Sequence, residues 1–236
     1  MIKIGHRGAC GYAPENTLLS FRKALELGVD MIEFDVHKIK SGEVIIIHDK
    51  TLNRTTDGKG NVAEKSFEEI RNLDAGKGEK IPTLEEALDL INRKVKVNIE
   101  LKGTETGKAV AETVKNYIEN KGWQKEDFLV SSEAKKELLD FMQIISGIKI
   151  GVVTSYVSVG ILGILLRIPF GIQKFAAEVG ADFVTLAKWF MKKKYVDSAH
   201  KNNLKVFVFT INEQKDIDKA KKLGVDGVFS NYPERV

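Results

Sequence analysis

Three carboxylates and two imidazoles lie close together in Glu33-Phe34-Asp35-Val36-His37 and Val44-Ile45-Ile46-Ile47-His48-Asp49. Side chains alternate along an extended strand, so Glu33, Asp35 and His37 share one face while Phe34 and Val36 share the other. Lys40-Ser41-Gly42 reads as a turn between two strands, and a turn centred near residue 41 sets position 48 across from about position 34. His48 then stands beside the two acids. Acids and an imidazole on an otherwise apolar hairpin cost free energy to bury unless something neutralises them, and a divalent cation would do so. The plainer alternative is a solvated edge hairpin carrying incidental charge.

Similar residues recur at the ends of other apolar runs. His6 and Arg7 follow Ile2 to Gly5, and Asn98, Glu100 and Lys102 alternate with Val97, Ile99 and Leu101. Glu33, Asp35 and Glu100 are hard oxygen donors suited to Mg²⁺ or Ca²⁺, whereas no Cys/His spacing fits zinc. Arg7 and Lys102 bring positive charge, and a guanidinium matches phosphate geometry. His6 and His48, coming from different strands, could flank one reacting phosphorus as base and acid.

The elements that must position these groups alternate between strand and helix. Beyond the first strand, the hairpin and 95–102, strand candidates span 128–131, 149–153, 183–186, 205–210 and 227–230. Helical patterns fill gaps at 108–120, 191–202 and 213–223. Asn16 suits an N-cap, Gly28 a helix stop, and Thr83-Leu84-Glu85-Glu86 a capping box. Repeated strand–helix units argue for a parallel α/β sheet. Treating 44–47 as an excursion of the second strand leaves eight strands, the number for a (β/α)8 TIM barrel. An open doubly wound sheet would compete, but no G-x-G-x-x-G follows the first strand. In such barrels the site lies at the C-terminal strand ends, and His6, Arg7, Glu33, Asp35, Glu100 and Lys102 all fall at or near such ends. His37 is expected beyond its strand end, at the rim, and His200 on a helix surface.

Length and composition are compatible with this fold. The 236 residues suit one domain over 1–236, and 43% hydrophobic with 30% charged residues is a globular composition, not a disordered one. A net charge of +4 is too slight to argue for nucleic acid. A lone Cys10 excludes an internal disulfide, and no apolar signal region precedes the first strand, so a cytoplasmic location is expected. From Ile150 through Leu166 there are 17 uncharged residues. The first of these are needed as a strand, and the remainder is shorter than the roughly 20 apolar residues of a membrane span. A buried segment is one reading; an apolar lip over Ile161 to Phe170 that touches lipid is the other.

His6-Arg7-Gly8, Pro14-Glu15-Asn16-Thr17, Glu33-x-Asp35, His48-Asp49, Leu52-x-Arg54-Thr55-Thr56, Ile81-Pro82-Thr83-Leu84-Glu85 and Asn98-Ile99-Glu100-Leu101-Lys102 stand in order along the chain. With Gly224-Val225-Asp226-Gly227-Val228 and Tyr232-Pro233, this series resembles the glycerophosphodiester phosphodiesterase family over essentially the whole length. The resemblance implies a TIM barrel and a divalent-metal enzyme that converts a glycerophosphodiester and water to sn-glycerol 3-phosphate and an alcohol. It implies His6 and His48 as the acid/base pair, and Glu33, Asp35 and Glu100 as ligands of Mg²⁺ or Ca²⁺. Arg7 and Lys102 would bind phosphate, and Glu15 and Asn16 would shape the glycerol side. Phe209 stands where the family usually has Trp, Ser230-Asn231 where Thr-Asp is common, and Glu133 follows Ser131-Ser132 where Phe is frequent. These departures bear on the pocket wall and on substrate preference. The short stretch between His48 and Pro82 leaves little or no insertion domain. Lysophospholipase D activity on lysophospholipids, with the apolar lip and Phe209 holding the acyl chain, is a close rival. A non-catalytic phosphoester-binding protein is the alternative of another class, disfavoured because no proposed histidine or carboxylate is missing.

Overall fold

The computed structural model describes residues 1–154 and 168–236. Eight parallel strands close into a ring: β1 (Ile2–His6), β2 (Met31–Lys38), β4 (Lys96–Leu101), β5 (Phe128–Ser132), β6 (Lys149–Thr154), β7 (Phe183–Ala187), β8 (Lys205–Phe209) and β9 (Gly227–Ser230). The ring closes where β1 pairs with both β2 and β9. A ninth strand, β3 (Val44–Ile46), lies outside it, antiparallel to β2. This is the TIM barrel with a hairpin excursion that the sequence led us to expect.

Alternation sorts the strand residues between two cores. Ile4, Met31, Leu129, Phe183, Phe207 and Phe229 fill the barrel interior. Their outward neighbours, among them Ile32, Phe34, Ile99, Val130, Val152 and Val184, pack under the surrounding helices. The inner packing explains Gly151, since a Cβ there would lie 2.0 Å from the Phe183 ring. The helices are α1 (Leu18–Glu26), α2 (Phe67–Asn72), α3 (Leu84–Ile91), α4 (Thr106–Asn120), α5 (Lys135–Ile144), α6 (Ile168–Val179), α7 (Lys193–Lys201) and α8 (Gln214–Leu223). Helix α3 opens with the expected capping box, Thr83 Oγ1 accepting from Glu86 N at 3.2 Å and Glu86 Oε2 from Thr83 N at 2.9 Å.

The hairpin register pairs Val36 with Ile46, His37 with Ile45 and Lys38 with Val44, which centres the turn on residue 41. Extending that register by two residues puts His48 opposite Phe34, as the sequence reading required. The excursion stays small. Ile39, Ile45, Ile47, Leu52, Val62, Ile70, Ala75 and Ile81 form its own apolar cluster. Arg71 ties it to α3 through a two-pronged pair with Glu86 at 2.9 Å.

Two expectations change. The N-cap of α1 is Thr17, whose side chain accepts from Ser20 N, and Asn16 sits before it in the left-handed region at φ 58°. Strand β2 runs to Lys38, so His37 lies within it, only 3% exposed, and not at the rim. His200 is exposed on α7, as expected. Residues 161–167 of the apolar lip lie outside the described residues, and its last three open α6. Among the described residues, no helix is long and apolar enough to cross a membrane.

Candidate active site

Strand register brings the acids together. β2 and β4 run in parallel with Glu33 beside Asn98 and Asp35 beside Glu100, while β1 places His6 beside Glu33. One ligand oxygen from each of Glu33, Asp35 and Glu100 lies within 4.8 Å of the others. Glu33 and Asp35 are buried, and the Glu100 side chain is 12% exposed.

The turn after β1 is built to present Arg7. Its backbone is left-handed at φ 51°, a conformation that costs a non-glycine residue about 1–2 kcal/mol. Three bonds hold it there: Arg7 N donates to Glu33 Oε2 at 2.9 Å, and Arg7 O accepts from Asn16 N at 3.2 Å and Ser20 Oγ at 2.7 Å. Gly8 follows at φ 83°, where a Cβ would meet backbone atoms of Ser20 at 2.7 Å. Gly8→Ala therefore combines a forbidden conformation with a backbone clash. We expect a loss of about 3 kcal/mol or more, read as a lowered urea midpoint at unchanged slope. A loss under about 1 kcal/mol would show that the turn tolerates a side chain.

Electrostatics divides the acids. Burial pushes the Glu33 carboxyl well above its usual range, and the neighbouring Asp35 and Glu100 push it further. Glu100 rises to about 7, burial and Asp35 outweighing the ammonium of Lys102. Asp35 goes the other way, to about 2, because Arg7 and Lys102 overcome its burial. Arg7 Nε is 3.3 Å from Asp35 Oδ2, and Lys102 Nζ is 3.6 Å from Asp35 Oδ1 and 2.5 Å from Glu100 Oε1. Among the described residues, Arg7 and Lys102 face these three clustered carboxylates, and burial raises the proton affinity of Glu33 and Glu100, so a cation would compete with protons there. A buried set of carboxylate oxygens that crowd one another in this way fits a hard divalent ion. This triad could bind a metal.

The two histidines have different partners. His6, ending β1, donates from Nδ1 to Asn231 Oδ1 at 2.7 Å, which leaves Nε2 as the acceptor nitrogen. Burial and the Arg7 charge lower its pKa to about 4, so it is neutral near pH 7. His48 Nδ1 lies 2.6 Å from Asp49 Oδ1. Arg54 clamps Asp49 through Nε at 2.7 Å and Nη2 at 3.0 Å, holding that carboxyl well below the usual range. Asp49 thus remains an anion able to balance a protonated His48. The buried His37 donates from Nε2 to His48 O at 3.2 Å and fixes the backbone from which His48 projects.

One cleft collects His6, Arg7, Glu33, Asp35, His48, Glu100, Lys102 and Phe209. Glu15 and Asn16 are not among its lining residues; they stand behind it. Glu15 accepts from Arg7 Nη1 at 2.7 Å and from Arg54 at 2.8 and 2.9 Å, while Asn16 Nδ2 donates to Asp35 Oδ2 at 3.0 Å. Asn231, Asp49 and His37 were not singled out as site residues from sequence. For Asp49 a signal existed, since it adjoins His48 in the chain. Asn231 is 225 residues from His6, and only barrel closure, with Gly5 beside Ser230, joins them.

Comparison with known proteins places this geometry. The model of the Glycerophosphoryl diester phosphodiesterase family matches residues 6–235. The glycerophosphodiester phosphodiesterase of Bacillus altitudinis is 36% identical, covering 100% of this chain and 96% of its own. More distantly, a human lysophospholipase D is 25% identical over 99% of this chain and 84% of its own. Among solved structures, an Oleispira antarctica phosphodiesterase in complex with the product sn-glycerol-3-phosphate superposes with a TM-score of 0.86 at 30% identity, covering 98% of this chain and 93% of that one. The chain belongs to the glycerophosphoryl diester phosphodiesterase family and is a phosphodiesterase.

Proposed function

We propose that this enzyme hydrolyses glycerophosphodiesters to sn-glycerol 3-phosphate and an alcohol, with Mg²⁺ or Ca²⁺ bound by Glu33, Asp35 and Glu100. The observation that carries the reading is the buried acid triad between two cations and two differently partnered imidazoles in one cleft. The ion would act as a Lewis acid toward the phosphoryl oxygens. Arg7 and Lys102 hold positive charge where the phosphodiester must sit, and they are oriented before it arrives.

His6 serves as base, because it is neutral and its Nε2 lone pair is free. A base of pKa about 4 is weak, but the negative phosphodiester beside it raises its basicity on binding. His48 serves as acid toward the leaving alkoxide, with Asp49 holding its Nδ1 at 2.6 Å. The nucleophile is water or the glycerol 2-hydroxyl. Glu15 and Asn16 contribute by holding Arg7 and Asp35, and Phe209 supplies apolar wall.

A second reading, lysophospholipid cleavage by the same groups, is favoured by the similarity to the human lysophospholipase D and by Trp189, 62% exposed just after β7. The lone cysteine suits a reducing compartment such as the cytoplasm.

Release of glycerol 3-phosphate from glycerophosphocholine tests the main reading, with EDTA, Mg²⁺ and Ca²⁺ arms. We expect release with metal and at least about 100-fold less in EDTA, the scale of charge stabilisation lost. Release undiminished by EDTA would overturn the metal role. Lysophosphatidylcholine cleaved in place of glycerophosphocholine would favour the second reading.

A further inference from the structure

We infer that Glu133 selects the head group, favouring a leaving alcohol that carries a positive charge, such as an amino-alcohol. This rests on the phosphodiesterase reading above and specifies its substrate class.

The placement follows from register. β5 sets Ser131 beside Glu100, so the next inward position, Glu133, comes level with Lys102 one layer above the metal-ligand row. It lies just past the end of β5, at the mouth of the barrel. Glu133 lines the catalytic cleft together with Arg7, Asp35 and Glu100. It also lines an adjoining open groove with Asp49, Lys50 and Thr51. Lys102, His48 and Glu133 are the residues common to both spaces. The groove therefore opens on the side of the cleft where His48 would protonate the departing oxygen, and the leaving group extends into it.

The charges around this junction are already engaged, with few exceptions. Asp49 is held by Arg54 at 2.7 Å, and Lys102 by Glu100 at 2.5 Å. Glu133 is half-buried and, among the described residues, forms neither a hydrogen bond nor an ion pair. Among the described residues lining the two spaces, Lys50 is the other charge without a hydrogen bond or ion pair, but it is exposed and screened by solvent. A half-buried carboxylate that acts on Lys102 and Glu100 only from beyond ion-pair distance, beside a phosphate site, has an evident complement. An ammonium carried a short linker away from the phosphoryl group would meet it while the phosphate remains between Arg7 and Lys102. A neutral polyol gains no such attraction, and an anionic head group is repelled.

Two measurements separate this inference from the reading beneath it. The first is the ratio of kcat/KM for glycerophosphoethanolamine over glycerophosphoglycerol in wild type and Glu133→Gln. We expect that ratio to fall about tenfold, equivalent to about 1.4 kcal/mol, and to fall below unity in Glu133→Lys. Had Glu133 acted only through Lys102, both substrates would weaken together and the ratio would hold. An unmoved ratio overturns the inference. The second is calorimetric binding of the same two diesters in a His6→Ala/His48→Ala background, with and without Glu133→Gln. A binding ratio that shifts about tenfold supports head-group selection even if wild type hydrolyses neither compound, in which case the proposed reaction fails and the subsite stands. An unchanged binding ratio overturns the inference whatever the kinetics show.

Discussion

Alanine at position 48 is expected to lower kcat by about 10²- to 10⁴-fold, the usual contribution of a positioned general acid, while KM moves little. The size follows from what His48 has beside it. Its Nδ1 is fixed at 2.6 Å from Asp49, and Asp49 is fixed in turn by Arg54 and, through Glu15, shares a charge network with Arg7. Removing the imidazole leaves that network in place and takes away only the proposed proton donor. Asp49→Asn should cost about tenfold less than the full effect, because the ring keeps its position but loses the anion that balances its proton. Steady-state rates with glycerophosphocholine and with an activated ester having a good leaving group distinguish the role. An acid is dispensable when the leaving group needs no proton, so the His48→Ala defect should shrink on the activated ester. An equal defect on both substrates would assign His48 to something other than protonation. His6→Ala should give a comparable loss that does not shrink, since deprotonating the nucleophile is needed in either case.

Much of this constellation was legible in the sequence because it depends on short-range periodicity. Alternation in 33–37 and 98–102 fixes which side chains enter the barrel, and one turn centred on residue 41 fixes His48 against β2. The eight apolar runs give the ring, since most strand residues are buried on either face, and Glu33 and Asp35 enter within β2 on the inner one. What was hidden depends on closure or on partners. Asn231 reaches His6 only once β9 has paired with β1. Asn16 has the composition of a cap, but its side chain is drawn to Asp35, and Thr17 takes the cap. His37 looked like a rim residue because the length of β2 could not be read past Val36. The strand continues because β3 pairs with it up to Lys38.

Asp35→Ala is expected to remove divalent-metal binding and also to weaken the fold, and the two effects can be told apart. Removing one partner of a buried ion pair typically costs about 3–5 kcal/mol. Here Arg7 keeps Glu15 and Lys102 keeps Glu100, while Glu33 and Glu100 are relieved of a like charge. The net loss should therefore be smaller, about 2 kcal/mol in urea unfolding with EDTA present. The pH dependence carries the sign of each group. Asp35, depressed to about 2, contributes stability that is present above its unfolded value near 4 and lost as pH falls through about 2. Glu100, raised to about 7, contributes stability that is present below about 4.5 and lost as pH rises through about 7. Glu100 and Glu33 should then take stability from the metal-free wild type as pH rises from about 5 to 7, against a gain over the same range from His6 and His37, whose pKa values burial lowers. A bound ion reverses this, because it competes with those same protons. Its affinity should weaken by up to tenfold per unit below pH about 7 for each proton displaced. At 100 times its dissociation constant it adds about 2.7 kcal/mol to wild type and nothing to Asp35→Ala. Unfolding curves at pH 5 and pH 8, with EDTA or with Mg²⁺, decide the matter. If metal stabilises both proteins equally, or wild type equally at both pH values, the triad does not hold the ion. If it stabilises only wild type, and chiefly at pH 8, the acids are unstable as neighbours for the same reason that they are suited to a cation.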